Sequence, residues 1–205
     1  MSTTSRTSAP STRRTVRWRS VDLLTAAVLG VAFGVVFWGW DVLYLAVQPV
    51  FTALPPLSGI LGGVWLLPAV VGALIIRRPG AALLAEMVAA SVEALLGNYW
   101  GAGVLVSGVI QALGVELVVA TFRWRRWGVP VAVLAGMLAA ALEGVYEMFV
   151  NYADTWATGY RLVYIGAFVV SGAVIAGVGG RAIVRGLARS GALSAFAVGR
   201  ERPRG

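Results

Sequence analysis

Long apolar segments dominate this 205-residue chain and restrict what it can fold into. Six of them are long enough, at ~1.5 Å per residue, to cross the ~30 Å hydrocarbon core of a bilayer. They cover residues 21–40, 58–76, 79–97, 102–122, 129–150 and 160–184. Only 13% of the residues are charged, whereas a soluble domain has about 25%. The pattern predicts an all-α membrane protein in which six transmembrane helices form a bundle.

The arginines are distributed asymmetrically along this predicted bundle. All of them except Arg161 fall on one side of a six-span arrangement, in the two ends of the chain and in the 2–3 and 4–5 turns. Because cytoplasmic loops carry the excess of basic residues, both termini are predicted to lie in the cytoplasm. We expect a disordered basic tail over residues 1–20, a transmembrane domain over 21–185 and a basic C-terminal tail over 186–205.

The residue types that the chain lacks exclude several kinds of chemistry. Histidine, cysteine and lysine are all absent. Without them there is no imidazole base, no thiolate, no zinc site of the usual kind and no P-loop lysine. We therefore expect no enzymatic activity, no cofactor and no bound metal, and any ATP hydrolysis that drives this protein would belong to a partner subunit.

Five glutamates lie inside the predicted spans, and each costs on the order of 2.5–3.5 kcal/mol near mid-bilayer on insertion scales. Such residues usually face the bundle interior and mark a substrate path. By depth, Glu93 lies near the outer surface, and Glu143 and Glu147 share one face of the fifth span at i, i+4. Glu86 and Glu116 lie in the inner third, where we expect them to pair with arginines at the cytoplasmic edge.

Aromatic residues concentrate toward the predicted outer side. All six tyrosines fall there, together with four of the tryptophans, although a plain interfacial belt would decorate both sides. Carboxylates beside aromatic rings suit a flat ligand that is cationic or carries an amine. The candidate binding residues are Trp38, Glu93, Asn98, Trp100, Glu143, Tyr146, Glu147, Asn151 and Tyr164.

The first span carries a stripe of small residues, Ala26, Gly30 and Gly34. Small residues four apart allow another backbone to approach closely. The stripe therefore indicates either helix packing within this chain or docking onto another membrane subunit.

Several stretches together resemble one family of transport proteins. They are Trp65–Pro68, Arg78–Ala82, Ala85-Glu86, Glu93–Gly101 and Glu143–Tyr152. Over about residues 20–185 the chain resembles the substrate-binding S component of energy-coupling factor (ECF) transporters, in the YkoE-type thiamine/hydroxymethylpyrimidine branch.

This resemblance implies a six-helix bundle that captures a vitamin from outside. It also implies a transmembrane coupling protein and two cytoplasmic ATPases as partners, with Ala26, Gly30 and Gly34 facing the coupling protein. The amine of the pyrimidine would meet Glu93 or Glu143, and the rings would stack on Trp or Tyr.

Other functions use the same residues differently. An ion-coupled secondary transporter for a small cationic or amine-bearing aromatic solute would employ the same glutamates, and inverted repeats would support it. We find no convincing repeat between residues 21–97 and 102–184. An enzyme built on a carboxylate pair and a structural assembly protein are further alternatives, but the cost of the buried acids disfavours the latter.

Overall fold

The computed structural model describes residues 17–151 and 156–201. Most of the predicted N-terminal tail, Tyr152 and the last two arginines lie outside the described residues. The described chain is entirely helical and contains no strand, which confirms the all-α prediction. The helices are α1 (Ser20–Val47), α2 (Leu67–Ile76), α3 (Ala81–Leu96), α4 (Gly103–Thr121), α5 (Val129–Val150), α6 (Thr158–Ser171), α7 (Gly180–Arg189) and α8 (Ala197–Arg200).

Five helical stretches of the described chain are long and apolar enough to cross a membrane. They are Ser20–Phe51, Pro55–Ile76, Gly103–Thr121, Val129–Val150 and Thr158–Arg189. The remaining predicted span, 79–97, does form a helix, but α3 has only 16 residues. At ~1.5 Å per residue it is about 24 Å long, which is shorter than a ~30 Å hydrocarbon core. The chain is thus a multi-pass membrane protein with five clear spans.

The second span is not one regular α-helix. Pro55–Val64 forms a 3₁₀ helix, and α2 begins only at Leu67. Gly63 in this segment donates its N–H to Oγ of Ser171, the last residue of α6, at 2.9 Å. A side chain at Gly63 would clash, because a Cβ there would lie 2.5 Å from the Ser171 carbonyl oxygen. The glycine-rich sequence thus brings this segment against the end of α6.

The small-residue stripe of α1 is buried against α3. Ala26, Gly30 and Gly34 are all buried, and a Cβ on Gly34 would lie 2.5 Å from Cβ of Val92. Gly30 meets Val88 in the same way, at 2.4 Å. Of the two interpretations of this stripe, the structure shows packing within the chain. The predicted docking surface for a partner is therefore occupied by α3.

Arginines mark one end of the bundle, which we call the arginine end and define by Arg19, Arg77, Arg125 and Arg185. One of the acids that pair with arginines at this end is Asp22, which is fully buried. Asp22 contacts Arg19 at 2.7 Å and Arg78 at 2.6 Å. Pairing with arginines had been predicted for Glu86 and Glu116, and this was wrong. The two glutamates instead accept backbone N–H groups, from Ala69 at 2.8 Å and from Ala82 at 2.9 Å.

The C-terminal segment packs onto the arginine end. Leu193, Phe196 and Val198 are buried in the core, and Arg19 lies over the ring of Phe196 at 5.5 Å. Glu201 accepts hydrogen bonds from both terminal nitrogens of Arg77. The Arg77 guanidinium lowers the pKa of the Glu201 carboxyl below its ordinary value. This ion pair joins the end of the described chain to the end of α2.

Candidate functional site

A cavity of about 370 Å³ opens at the end of the bundle opposite the arginines, which we call the cavity end. Its volume lies within the ~300–1,000 Å³ that is typical of small-molecule sites. Its walls come from α1, the 3₁₀ segment, α3, α4, α5 and α6. Nearly every long element thus contributes side chains to the same open cavity.

Three aromatic rings form a box on one wall, and we define this aromatic box as Tyr44, Trp65 and Trp100. Each ring centroid lies 5.5 Å from the other two. The Trp65 and Trp100 rings are nearly perpendicular, at 86°. This edge-to-face arrangement is a favourable one for aromatic pairs. The faces of such rings attract cations and stack on flat ligands.

Two buried acids adjoin the aromatic box. Glu93 lines the cavity and lies beside Asp41 and Trp65. Oδ1 of Asp41 accepts a hydrogen bond of 3.1 Å from the Trp65 indole. Within the described residues, Oε1 of Glu93 has no hydrogen-bond partner. A buried carboxylate oxygen without a partner is costly, so this atom can accept a hydrogen bond from a ligand at little further cost.

A second polar group lies on α4 and α5. Glu143 lines the cavity beside Ser107 and Gln111, and its Oε2 likewise lacks a partner among the described residues. With its amide nitrogen directed toward them, Gln111 donates to the Trp65 carbonyl at 3.0 Å and to Glu86 at 3.2 Å. Gln111 therefore lies between Glu86 and Glu143 and holds this part of the cavity wall in place.

The wall formed by α5 and α6 is closed by a hydrogen bond in which the Tyr164 hydroxyl donates to Oε2 of Glu147. The Tyr164 ring also lies 5.6 Å from Trp156 and 6.0 Å from Phe168. Glu147 is thus already engaged by Tyr164, whereas Glu93 and Glu143 each keep one oxygen free for a ligand. The three cavity glutamates predicted from the sequence therefore differ in what they can do.

Most of the residues selected from the sequence lie together. The cavity is lined by Glu93, Trp100, Glu143, Tyr146, Glu147, Asn151 and Tyr164. Asn98 does not line it and donates instead to the Gly101 carbonyl at 3.2 Å. Trp38 also lies elsewhere, with 43% of its surface exposed on the outer face of α1. Its neighbour Phe37 is buried and faces the cavity.

Several residues that line the cavity were not predicted from the sequence. They include Phe37, Tyr44, Ser58, Trp65, Glu86 and Gln111. Trp65 and Glu86 stood within stretches that carried the family resemblance, so a signal existed for them. No comparable signal singled out Gln111, because a lone amide in an apolar span has no characteristic spacing.

The fold and the site define a membrane-embedded binding protein, in which a helical bundle holds a ligand-sized cavity lined by carboxylates and aromatic rings. A family model described as "ABC-type cobalt transport system, permease component" matches residues 21–142. The protein YkoE of Bacillus subtilis (strain 168), whose name describes an HMP/thiamine permease protein, is 36% identical over 188 residues. That match covers 90% of this chain and 92% of the relative.

A solved structure of the same kind also matches. A crystal structure of an S-component of an ECF transporter superposes with a TM-score of 0.84 at 34% identity, covering 90% of this chain and 92% of the other. The chain belongs to the family of ECF transporter S components that includes YkoE. No cluster of three or more metal-binding side chains occurs in the described part of the chain.

Proposed function

We propose that the cavity captures thiamine or its hydroxymethylpyrimidine precursor, as the substrate-binding step of an ECF-type importer. The observation that carries this proposal is the pairing of two cavity carboxylates, Glu93 and Glu143, with the aromatic box. Each carboxylate has an oxygen without a partner among the described residues. The name of the B. subtilis relative supports the same ligand class.

The two acids suit the two halves of thiamine. Glu93 lies next to the aromatic box, where a cationic thiazolium gains from both the ring faces and the negative charge. Glu143, beside Gln111 and Ser107, offers acceptors and donors that match an aminopyrimidine edge. Hydroxymethylpyrimidine has only the second half, so it would use the Glu143 group alone.

We propose that α3 completes a six-span bundle between two basic tails in the plasma membrane. The arginine end then faces the cytoplasm by the positive-inside rule, with both termini on that side. This orientation opens the cavity to the outside, which is the direction that uptake requires.

The partners in this proposal are a transmembrane coupling protein and two cytoplasmic ATPases. The chain has no lysine with which to build a P-loop of its own, and we propose that it is a non-catalytic transport subunit. Contact of the coupling protein with Ala26, Gly30 and Gly34 stays a prediction. It requires α1 to separate from α3, because Val88 and Val92 now fill that surface.

Uptake by reconstituted vesicles tests this proposal. The vesicles hold this chain together with a coupling protein and ATPases, and their interior corresponds to the cytoplasm. They should accumulate labelled thiamine or hydroxymethylpyrimidine only when ATP is supplied inside them. Accumulation by the chain alone, driven by an ion gradient and independent of ATP, would instead identify a secondary transporter.

A further inference from the structure

An arginine at the arginine end has buried donors that nothing in the described chain satisfies. Nε and Nη1 of Arg181, at the start of α7, are buried and have no hydrogen-bond partner within residues 17–151 and 156–201. A guanidinium group that is buried away from water is normally paired with an acid or another hydrogen-bond acceptor. The asymmetric distribution of arginines explains exposed basic side chains at this end, but it does not explain buried donors without an acceptor.

The charges around Arg181 are mostly of its own sign. Arg77 and Arg185 both act on it as like charges, and Glu201 is the carboxylate that opposes them. Both oxygens of Glu201 are already bonded to Arg77. The three guanidinium groups therefore share one acid, and the group as a whole has an excess of positive charge.

An apolar, membrane-facing surface leads to this basic group. Arg181 and Arg185 lie four residues apart on α7 and so share one side of that helix, and the π-helical segment Gly172–Gly179 runs directly into it. Val174 and Val178 are exposed, at 58% and 48%, within the membrane-spanning stretch Thr158–Arg189. A ligand that fits both parts has an apolar chain beside the valines and an anion beside the arginines.

We propose that Arg181 and Arg185, with the positive field of Arg77, bind the phosphate of an anionic phospholipid whose acyl chain lies along Val174 and Val178. Basic pockets next to membrane-spanning helices bind anionic headgroups in this way. Nε and Nη1 of Arg181 are buried in the free chain, so its side chain must turn outward before its planar guanidinium can donate two parallel hydrogen bonds to phosphate oxygens. This site lies at the end of the bundle opposite the cavity and does not depend on which substrate the cavity binds.

Native mass spectrometry of the full chain in detergent tests the proposal. Phosphatidylglycerol and phosphatidylcholine with identical acyl chains are added separately, and the fraction of protein that retains each lipid is measured. Phosphatidylglycerol should be retained preferentially. Arg181→Gln should weaken its retention about tenfold, as expected for the loss of a charge-assisted hydrogen bond. The matched control is Arg125→Gln, which removes one exposed arginine at the same end and should leave retention unchanged.

Three results would overturn the proposal. The first is equal retention of the two lipids, and the second is an Arg181→Gln protein that retains phosphatidylglycerol as wild type does. The third is displacement of the lipid by inorganic phosphate at equal concentration, which would indicate a site for free anions. If Arg181→Gln does not fold, Arg185→Gln provides the same test from an exposed position.

Discussion

The indole Nε1 of Trp65 donates a hydrogen bond to Oδ1 of Asp41 over 3.1 Å, which ties the aromatic box to α1. Trp65 lies between the 3₁₀ segment and α2, and its side chain is held by this bond to Asp41 on α1. Its orientation therefore depends on Asp41 and on its contacts with Tyr44 and Trp100. Specific contacts thus hold the aromatic box in place, and each contact can be tested separately by substitution.

Trp65→Phe keeps an aromatic ring but removes the donor to Asp41. We expect the affinity for thiamine to fall about fivefold, the usual magnitude for one hydrogen bond, as measured by calorimetric titration of the purified protein. Trp40→Phe is the matched control, because Trp40 also donates from its indole, to the Leu61 carbonyl, but does not line the cavity. Equal losses in the two variants would show that the Trp65–Asp41 bond does not organise the site.

Glu143→Gln keeps the shape of the side chain and removes its charge. Because we place the aminopyrimidine at Glu143, affinity for thiamine and for hydroxymethylpyrimidine should both fall about tenfold or more. Glu116→Gln is the control, since Glu116 is a membrane glutamate that bonds to Ala82 and does not line the cavity. Unchanged binding of both ligands in the Glu143 variant would contradict the assignment.

Glu93→Gln separates the two ligands. The cationic ring that we place at Glu93 exists only in thiamine, so thiamine affinity should fall about tenfold and hydroxymethylpyrimidine affinity less than about threefold. Competition binding with labelled thiamine measures both values on one sample. Equal losses would place the pyrimidine, and not the thiazolium, beside Glu93.

Gly34→Ala tests the packing of α1 on α3. A Cβ at Gly34 would lie 2.5 Å from Val92, whereas a Cβ at Gly39 on the same helix meets nothing within 4 Å. We expect Gly34→Ala to lower the free energy of unfolding by about 1–3 kcal/mol through overpacking, and Gly39→Ala to leave it unchanged or slightly higher. Thermal unfolding in detergent provides the comparison. Equal stability of the two variants would mean that α1 packs elsewhere.

The sequence predicted the helical class and the end of the bundle at which the cavity lies, because both follow from patterns that extend over the whole chain. Hydropathy locates apolar segments, and the opposite distributions of arginine and tyrosine distinguish the two ends. The length of α3 and the 3₁₀ start of the second span were not predicted, since glycine and proline change helix geometry without changing hydropathy.

Individual site residues were harder to predict, because depth in the membrane does not fix the face of a helix. Trp38 was selected for its depth, but successive helix positions differ by about 100°, and Phe37 faces the cavity instead. Glu86 was expected to meet an arginine. It bonds to the start of α2, because a backbone N–H without a helical partner lies there. Contacts of this kind depend on how the helices pack.

The most direct test of the account is titration of the purified full chain with thiamine and then with hydroxymethylpyrimidine, followed by intrinsic tryptophan fluorescence. Trp65 and Trp100 line the cavity, so a ring bound between them should quench the emission. The account predicts saturable quenching by at least one ligand at nanomolar to micromolar concentration, reduced in Glu143→Gln. A folded protein whose emission and calorimetric signal respond to neither ligand would contradict it.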